Sequence, residues 1–231
     1  MKEENISFED LKLNRQILNA IDELSFEHPT EIQAKVIPSA LAGHDLFGIA
    51  QTGTGKTLAF VVPLIMKIKY AQENDPRALI LAPTRELVLQ IEQQMLALSK
   101  YTDLRTVALY GGVGPRTQIE YLESGCDLVI STPGRFLDLY SKGHIMPKKI
   151  KTMIMDEADK MMDMGFYPQI KKILEVVPRK RQNMLFSATM SERVISLTED
   201  FLEFPEKIEV APQASVAETI AQELYEVPNF K

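Results

Sequence analysis

Ala50-Gln51-Thr52-Gly53-Thr54-Gly55-Lys56-Thr57 decides how the rest of this chain is read. A short apolar run, Leu46-Phe47-Gly48-Ile49, precedes it, and Leu58 to Val62 follow, with Leu64, Ile65 and Ile68 continuing at helical spacing. Strand, Gly-rich turn, then helix is the context that makes a P-loop. Its glycines let the backbone wrap closely round phosphates, and the helix points free N–H groups and its positive dipole end at the same anion. Lys56 is placed to reach the β- and γ-phosphates, and the Thr57 hydroxyl to ligate Mg²⁺. Ala50 stands where the generic pattern has Gly.

Working outward, short β-branched runs alternate with amphipathic stretches. That is the pattern of an α/β fold with a mostly parallel central sheet and helices on both faces. Strands are expected at 78–82, 106–110, 127–130, 151–155, 183–186 and 207–210. Helices are expected after Asn14 (with Ile17, Leu18, Ile21 and Leu24 on one face), from Thr30 through Ile37, over 85–100 (Leu87, Ile91, Met95 and Leu98 aligned) and over 191–204. Pro63 should kink or locally break the P-loop helix. Most strands end in small, hydroxyl or charged groups, and in open α/β sheets ligands bind beyond the carboxyl ends of the strands.

The strand Met153-Ile154-Met155 ends in Asp156-Glu157. A carboxylate there, about a hundred residues after a P-loop, is a Walker-B arrangement in which Asp156 holds Mg²⁺ directly or through water and Glu157 orients or deprotonates an attacking water. The methionines 153, 155, 161, 162 and 164 read as packing residues, and Cys126 as a small buried side chain. His28, His44 and His144 share no context that would make a zinc site.

Hydrophobic content of 45% and charged content of 25% are ordinary for a globular chain of 231 residues. No apolar run is long enough to span a membrane, and Met1-Lys2-Glu3-Glu4-Asn5 lacks a signal core, so no membrane association is expected. A single cysteine excludes an internal disulfide framework, and cytoplasm follows as the expected location. A net charge of −6 speaks against a broad basic face for duplex DNA; the basic clusters are local, at 148–151, 171–172 and 179–181.

Asp156-Glu157-Ala158-Asp159 spells D-E-A-D, and over residues 5–231 the chain resembles the first RecA-like domain of a bacterial DEAD-box ATP-dependent RNA helicase. Residues 50–57 match that family's A-x-T-G-x-G-K-T loop in full, Ala50 included. Residues 26–33 resemble the Q motif, although Ser25 stands for the usual Gly and Glu31 for Pro or Ala. The resemblance implies a RecA-like P-loop NTPase fold. It implies that ATP or ADP is held by Gln51, Thr52, Gly53, Thr54, Gly55, Lys56 and Thr57, with Asp156 and Glu157. Phe26, His28, Gln33 and the upstream aromatic Phe8 would serve the adenine. Gln33 offers one amide donor and one acceptor to match its edge.

Pro83-Thr84-Arg85-Glu86-Leu87 resembles motif Ia, Gly111-Gly112 the GG element, and Thr132-Pro133-Gly134-Arg135 motif Ib. These imply a groove for the sugar-phosphate backbone of single-stranded or locally unwound RNA, read by donors that contact no bases. Ser187-Ala188-Thr189 matches motif III, whose hydroxyls are implied to bond Asp159 and couple hydrolysis to RNA release. The catalytic set implied is Lys56, Asp156, Glu157, Ser187 and Thr189, with Mg²⁺ through Thr57 and Asp156.

Residues 1–210 are expected to form this domain with its Q-motif region, and 211–231 a linker with the truncated start of a second RecA-like domain, whose phosphate-sensing arginines are missing. The fragment is therefore expected to bind nucleotide weakly, hydrolyse it slowly if at all, and not unwind a duplex; no obligate oligomer is expected. Two other readings are a DNA-directed P-loop motor and a nucleotide-dependent, non-catalytic binding module. The Q motif and the D-E-A-D tetrapeptide speak against the first, and intact Lys56, Thr57, Asp156 and Glu157 against the second.

Overall fold

A computed structural model describes residues 6–68, 70–71 and 74–210. The expected linker and second-domain start at 211–231 lie outside the described residues. In chain order the elements are α1 (Arg15–Glu23), α2 (Glu31–Ala42), β1 (Leu46–Ile49), α3 (Lys56–Ile68), β2 (Ala78–Leu81), α4 (Arg85–Leu98), β3 (Thr106–Leu109) and α5 (Arg116–Glu123). There follow β4 (Leu128–Ser131), α6 (Pro133–Ser141), β5 (Thr152–Met155), α7 (Ala158–Asp163), α8 (Tyr167–Val176), β6 (Gln182–Ser187), α9 (Glu192–Phe201) and β7 (Glu206–Glu209).

The strands form one seven-stranded sheet in the order β3-β4-β2-β5-β6-β1-β7, and every pairing in it is parallel. Side chains alternate across it, as the two-residue period of a strand requires. Ile80, Ile130, Ile154, Met184 and Phe186 pack into a core under α1 to α4, whereas Leu79, Leu81, Val129, Met153, Met155 and Leu185 pack into a second core under the later helices. Strands buried on both faces explain the continuous apolar runs in the sequence. At the edge, β7 buries only Ile208 and leaves Glu206, Lys207 and Glu209 to solvent, charges that discourage further pairing.

Local chemistry sets the helix starts. Asn14 Oδ1 accepts the Ile17 N–H at 2.9 Å, Thr84 Oγ1 the Leu87 N–H at 3.3 Å, and Ser191 Oγ the Val194 N–H at 3.4 Å. Some expectations shift. The face of α1 is Ile17, Ala20 and Ile21 with Leu18 packed at its margin, and Leu24 is exposed at its end. In α4 the buried stripe starts at Val88, because Leu87 turns toward a cleft. α3 runs on through Pro63, and Met164 is exposed where packing was expected. Cys126 is buried. No helix among the described residues is long and apolar enough to cross a membrane.

One glycine is fixed by close approach. A Cβ on Gly48, in β1, would stand 2.5 Å from the Phe186 ring of neighbouring β6, and that ring lies 5.2 Å from the ring of Phe60. The absent side chain lets the two strands that end nearest the cleft close over an aromatic pair.

Candidate functional site

The sheet order divides its carboxyl edge into two neighbouring halves. β5, β6 and β1 end in Asp156-Glu157, Ser187 to Thr189 and the P-loop; β3, β4 and β2 end in Gly111-Gly112, Thr132 to Arg135 and Thr84-Arg85. The seam between the halves is the β2–β5 pair.

Over the first half lies a cleft of about 400 Å³ lined by Phe26, His28, Thr30, Gln33, Thr52, Gly53, Gly55, Lys56, Thr57, Leu58, Leu87, Gln90, Gln94, Asp156 and Glu157. A larger hollow of about 810 Å³ lies beside β3 and α5, where Glu92 is raised by burial and Arg105 is spent on Asp127; the smaller cleft, which sets the buried pair Lys56 and Asp156 at the carboxyl ends of the strands, is the better candidate.

Lys56, the first residue of α3, is buried and donates to the Ala50 carbonyl at 2.5 Å. Burial pulls its ammonium below the ordinary lysine range, against the opposing pull of Asp156 and Glu157. Asp156 is 2% exposed, and burial pushes its carboxyl up to about 6, with the Lys56 charge acting the other way. Asp156 Oδ1 accepts the Glu157 N–H at 2.9 Å, and its second oxygen makes no hydrogen bond among the described residues.

That oxygen and the Thr57 hydroxyl are hard donors of the kind Mg²⁺ takes. No group of three or more His, Cys, Asp or Glu among the described residues could hold a metal alone. Glu157 sits at φ +52, a left-handed conformation strained for glutamate. It pairs with Lys160 Nζ at 2.9 Å.

The Q-motif segment clamps the P-loop. Gln33 Oε1 accepts the Thr30 N–H at 2.9 Å, and Nε2 donates to the Gly55 carbonyl at 3.1 Å. Gly55 sits at φ +92, so the backbone requires glycine, and a Cβ there, 2.3 Å from Gln33 Nε2, would push the clamp aside. Ser25 adopts φ +57, the conformation glycine takes at least cost. Phe26 is exposed at the cleft wall.

Other expected residues fall outside the lining. Phe8 is buried in the core beneath α2, so the structure does not bring it to the cleft. Thr54 Oγ1 donates to the Gln51 carbonyl at 2.8 Å, closing the loop on itself. Conversely, Leu87, Gln90 and Gln94 of α4 line the cleft and were not foreseen. Their i, i+3, i+7 spacing marks a shared face, but only the packing of α4 against α1 and α3 turns that face inward.

The β6 loop meets the end of the tetrapeptide. Asp159 Oδ2 accepts from Thr189 N–H at 3.1 Å and from Thr189 Oγ1 at 3.2 Å. Ser187 Oγ instead donates to the Thr189 carbonyl at 2.7 Å, so it braces its own loop and does not reach Asp159. Ser191 caps α9.

On the second half, the Arg85 guanidinium lies 4.8 Å over the Tyr110 ring, and Gln118 bonds both the N–H and the carbonyl of Tyr110 at 3.2 Å. Gly112 turns at φ +82, with Gly111 exposed beside it. Arg135 Nη2 donates to the Val113 carbonyl at 2.8 Å, while Nη1 is buried without a partner among the described residues. Thr132 precedes Pro133, the first residue of α6, and Gly134 is exposed next to it. Pro83 and Pro133 are buried, so they shape their loops and offer little surface. Thr84 spends its hydroxyl on the α4 cap.

Residues 30–197 match the DEAD/DEAH box helicase family. The chain is 42% identical over 229 residues to the ATP-dependent RNA helicase RhlB of Pseudomonas putida, covering 95% of this chain and 58% of the relative. It is 40% identical over 219 residues to the DEAD-box ATP-dependent RNA helicase RhpA of Helicobacter pylori, covering 95% of this chain and 44% of the relative. Among solved structures, a DEAD box protein from the hyperthermophile Methanococcus jannaschii superposes with a TM-score of 0.83 at 38% identity, over 88% of this chain and 55% of that one. A hypothetical ATP-dependent RNA helicase from Sulfolobus tokodaii gives 0.79 at 37%, over 86% and 57%. The chain thus spans about half the length of the curated relatives it matches.

Proposed function

Because the chain belongs to the DEAD/DEAH box helicase family, we propose that it is the ATP-binding half of an ATP-dependent RNA helicase, coupling nucleotide binding and hydrolysis to local remodelling of RNA. The observation that carries this reading is the meeting of Lys56, Asp156 and Glu157 in one cleft with the Gln33–Gly55 clamp at its mouth.

In this reading the P-loop amides and Lys56 cradle the β- and γ-phosphates, and Lys56 leaves the Ala50 carbonyl to do so. Thr57 and Asp156 would hold Mg²⁺, which when bound neutralises charge on the phosphate oxygens. Glu157 exchanges its pairing with Lys160 for the attacking water, orienting it in line with the γ-phosphorus and taking its proton. Gln33 and Phe26 receive the adenine. The Thr189–Asp159 contact links the carboxylate segment to the β6 loop, so a shift at one is felt at the other.

RNA would lie along the second half, with Arg85, Arg135 and the amides of Gly111-Gly112 and Thr132 to Gly134 donating to its phosphates. Residues 1–210 act as one unit, with 211–231 leading toward a second RecA-like domain that completes both sites. Alone, the 231-residue chain binds nucleotide and does not unwind.

Two substitutions in the natural full-length protein test this. Lys56→Ala should abolish ADP binding, and Glu157→Gln should keep it while removing RNA-stimulated phosphate release. Unchanged ADP affinity in Lys56→Ala would overturn the cleft assignment. Equal stimulation by DNA and RNA would overturn the substrate.

A further inference from the structure

At the pole opposite the cleft, where the strands begin, lies a charge pattern that the chemistry above does not use. Backbone bonds run across that pole from strand to strand. Asp127 N–H donates to the Arg105 carbonyl, Arg77 N–H to Asp127 and Lys151 N–H to Arg77, each at 2.8 Å, and Gln182 N–H donates to Lys151 at 2.9 Å. Neighbouring strands lie about 4.8 Å apart. The residues that enter β3, β4, β2, β5 and β6 therefore form one row.

One end of the row is neutralised. Asp127 is fully buried and takes Arg77 Nη2 at 2.8 Å and Arg105 Nε at 3.0 Å. The other end is not. Lys148 and Lys151, on the approach to β5, and Arg179 and Lys180, on the approach to β6, are exposed and form no ion pair among the described residues. Lys149 faces Asp75 at 3.4 Å. The other acidic side chains near these segments are Asp103, which binds the Ala71 N–H, Asp45, which binds the Asn183 and Glu203 N–H groups, Asp200, which pairs with Lys171 at 3.5 Å, Glu175 near the end of α8, and Glu203 beside Arg181.

Both cation-bearing turns are held in place. Pro147–Lys149 is a 3-10 turn closed by the Ile150 N–H to the Pro147 carbonyl at 3.1 Å. In the other, Arg181 N–H donates to the Arg179 carbonyl at 3.0 Å and Arg181 Nη1 to the Pro178 carbonyl at 2.6 Å. The Gln182–Lys151 bond sets the two turns side by side. Unpaired cations on rigid, adjoining turns are preorganised for a polyanion, and they stand out in a chain of net charge −6.

We propose that Lys148, Lys151, Arg179 and Lys180 form a second, sequence-independent landing site for the phosphodiester backbone of RNA, one that takes the flank of an RNA too long for the cleft-side surface alone. The proposal rests on the RNA reading above. An acidic protein partner would need buried aromatic or aliphatic anchors. Among the described residues, two exposed large apolar side chains adjoin these turns, Met146 and, beside Arg181, Phe204, and neither stands among the four cations. Phosphate contacts need only the cations.

The test uses the natural full-length protein with Lys148, Lys151, Arg179 and Lys180 all changed to Gln. Binding is measured over a salt series with an RNA of about 8 nucleotides, within the site size of one single-strand groove, and with one of about 40. The expected result is unchanged affinity for the short RNA and a loss of about tenfold or more for the long one. The slope of log K against log salt should fall by about 0.7 for each phosphate that the variant no longer neutralises. A variant carrying Arg at the three lysine positions should keep the long-RNA affinity. Equal affinities of parent and variant for the long RNA would overturn the proposal, as would equal losses on both RNAs. Loss of polyglutamate binding with RNA binding intact would make the patch a protein contact and overturn it too. Failure of the parent to bind either RNA would instead remove the RNA reading itself.

Discussion

Gln33 and Gly55 face each other across the mouth of the P-loop, with the glutamine amide nitrogen 3.1 Å from the glycine carbonyl oxygen. The other end of the same amide is held by the Thr30 N–H at 2.9 Å. The carboxamide is thus oriented by the protein with one N–H and one oxygen lone pair to spare, the pair an adenine edge would take.

Gln33→Glu keeps the acceptor for Thr30 but removes the donor and sets a carboxylate against the Gly55 carbonyl. An unmade bond of this kind costs about 1–3 kcal/mol. Calorimetric titration should show ADP affinity reduced by about tenfold or more. Affinity equal to the parent's would separate Gln33 from nucleotide binding.

Asp156 links pH to stability. Its carboxyl is raised by burial to about 6, so the native state holds the proton more tightly than the unfolded chain. Native stability therefore falls as pH rises from the unfolded value of 3.8 through about 6, and it stays lowered above. Asn carries no such cost and can still accept the Glu157 N–H. Nucleotide-free Asp156→Asn should be more stable than the parent above pH 7 by about 1–3 kcal/mol in urea unfolding, with the difference closing near pH 4. A parent as stable as the variant at pH 8 would refute the burial argument.

Asp127 is the buried anion between Arg77 and Arg105, and its Oδ2 also accepts the Arg105 N–H at 3.0 Å. Asp127→Asn leaves two guanidiniums without their counter-charge, which costs about 3–5 kcal/mol in comparable buried pairs. The unfolding midpoint should drop accordingly, while the ADP affinity of the folded fraction stays that of the parent, since the network sits at the far pole. A midpoint within experimental scatter of the parent's would show the network to be idle.

Cys126 is buried, and burial pushes its thiol up to about 12. Thiolate is the reactive form, so a thiol reagent at pH 8 should modify the native chain slowly, at a rate set by opening, and the urea-unfolded chain at once. Fast modification of native protein would mean that the segment joining α5 to β4 opens locally.

The strands could be read to within a residue or two because a parallel sheet covered on both faces needs unbroken apolar runs, as at Ala78–Leu81 and Thr152–Met155. Helices that start in turn-like chemistry were harder: α6 opens on Pro133-Gly134, and α5 buries only Gln118 and Leu122. The P-loop and the D-E-A-D segment were legible because their spacing is local. What escaped was set by tertiary packing. Leu87, Gln90 and Gln94 line the cleft through the way α4 meets its neighbours, and Ser187 turns back on its own loop rather than toward Asp159. The Asp127 network joins residues 22 and 50 positions apart, a distance at which no periodicity speaks.

The contact between Gly48 and the Phe186 ring carries a genetic consequence. Position 48 has no freedom of its own: an alanine there would press a methyl group to 2.5 Å from an aromatic carbon, and the ring is pinned from behind by Phe60. Gly48→Ala should thus be a temperature-sensitive lesion, and Phe186→Leu its second-site suppressor, restoring in the double variant what each change alone costs. Thermal midpoints of the four proteins in that cycle would give the coupling, and purely additive losses would show that the strands can slide apart to make room.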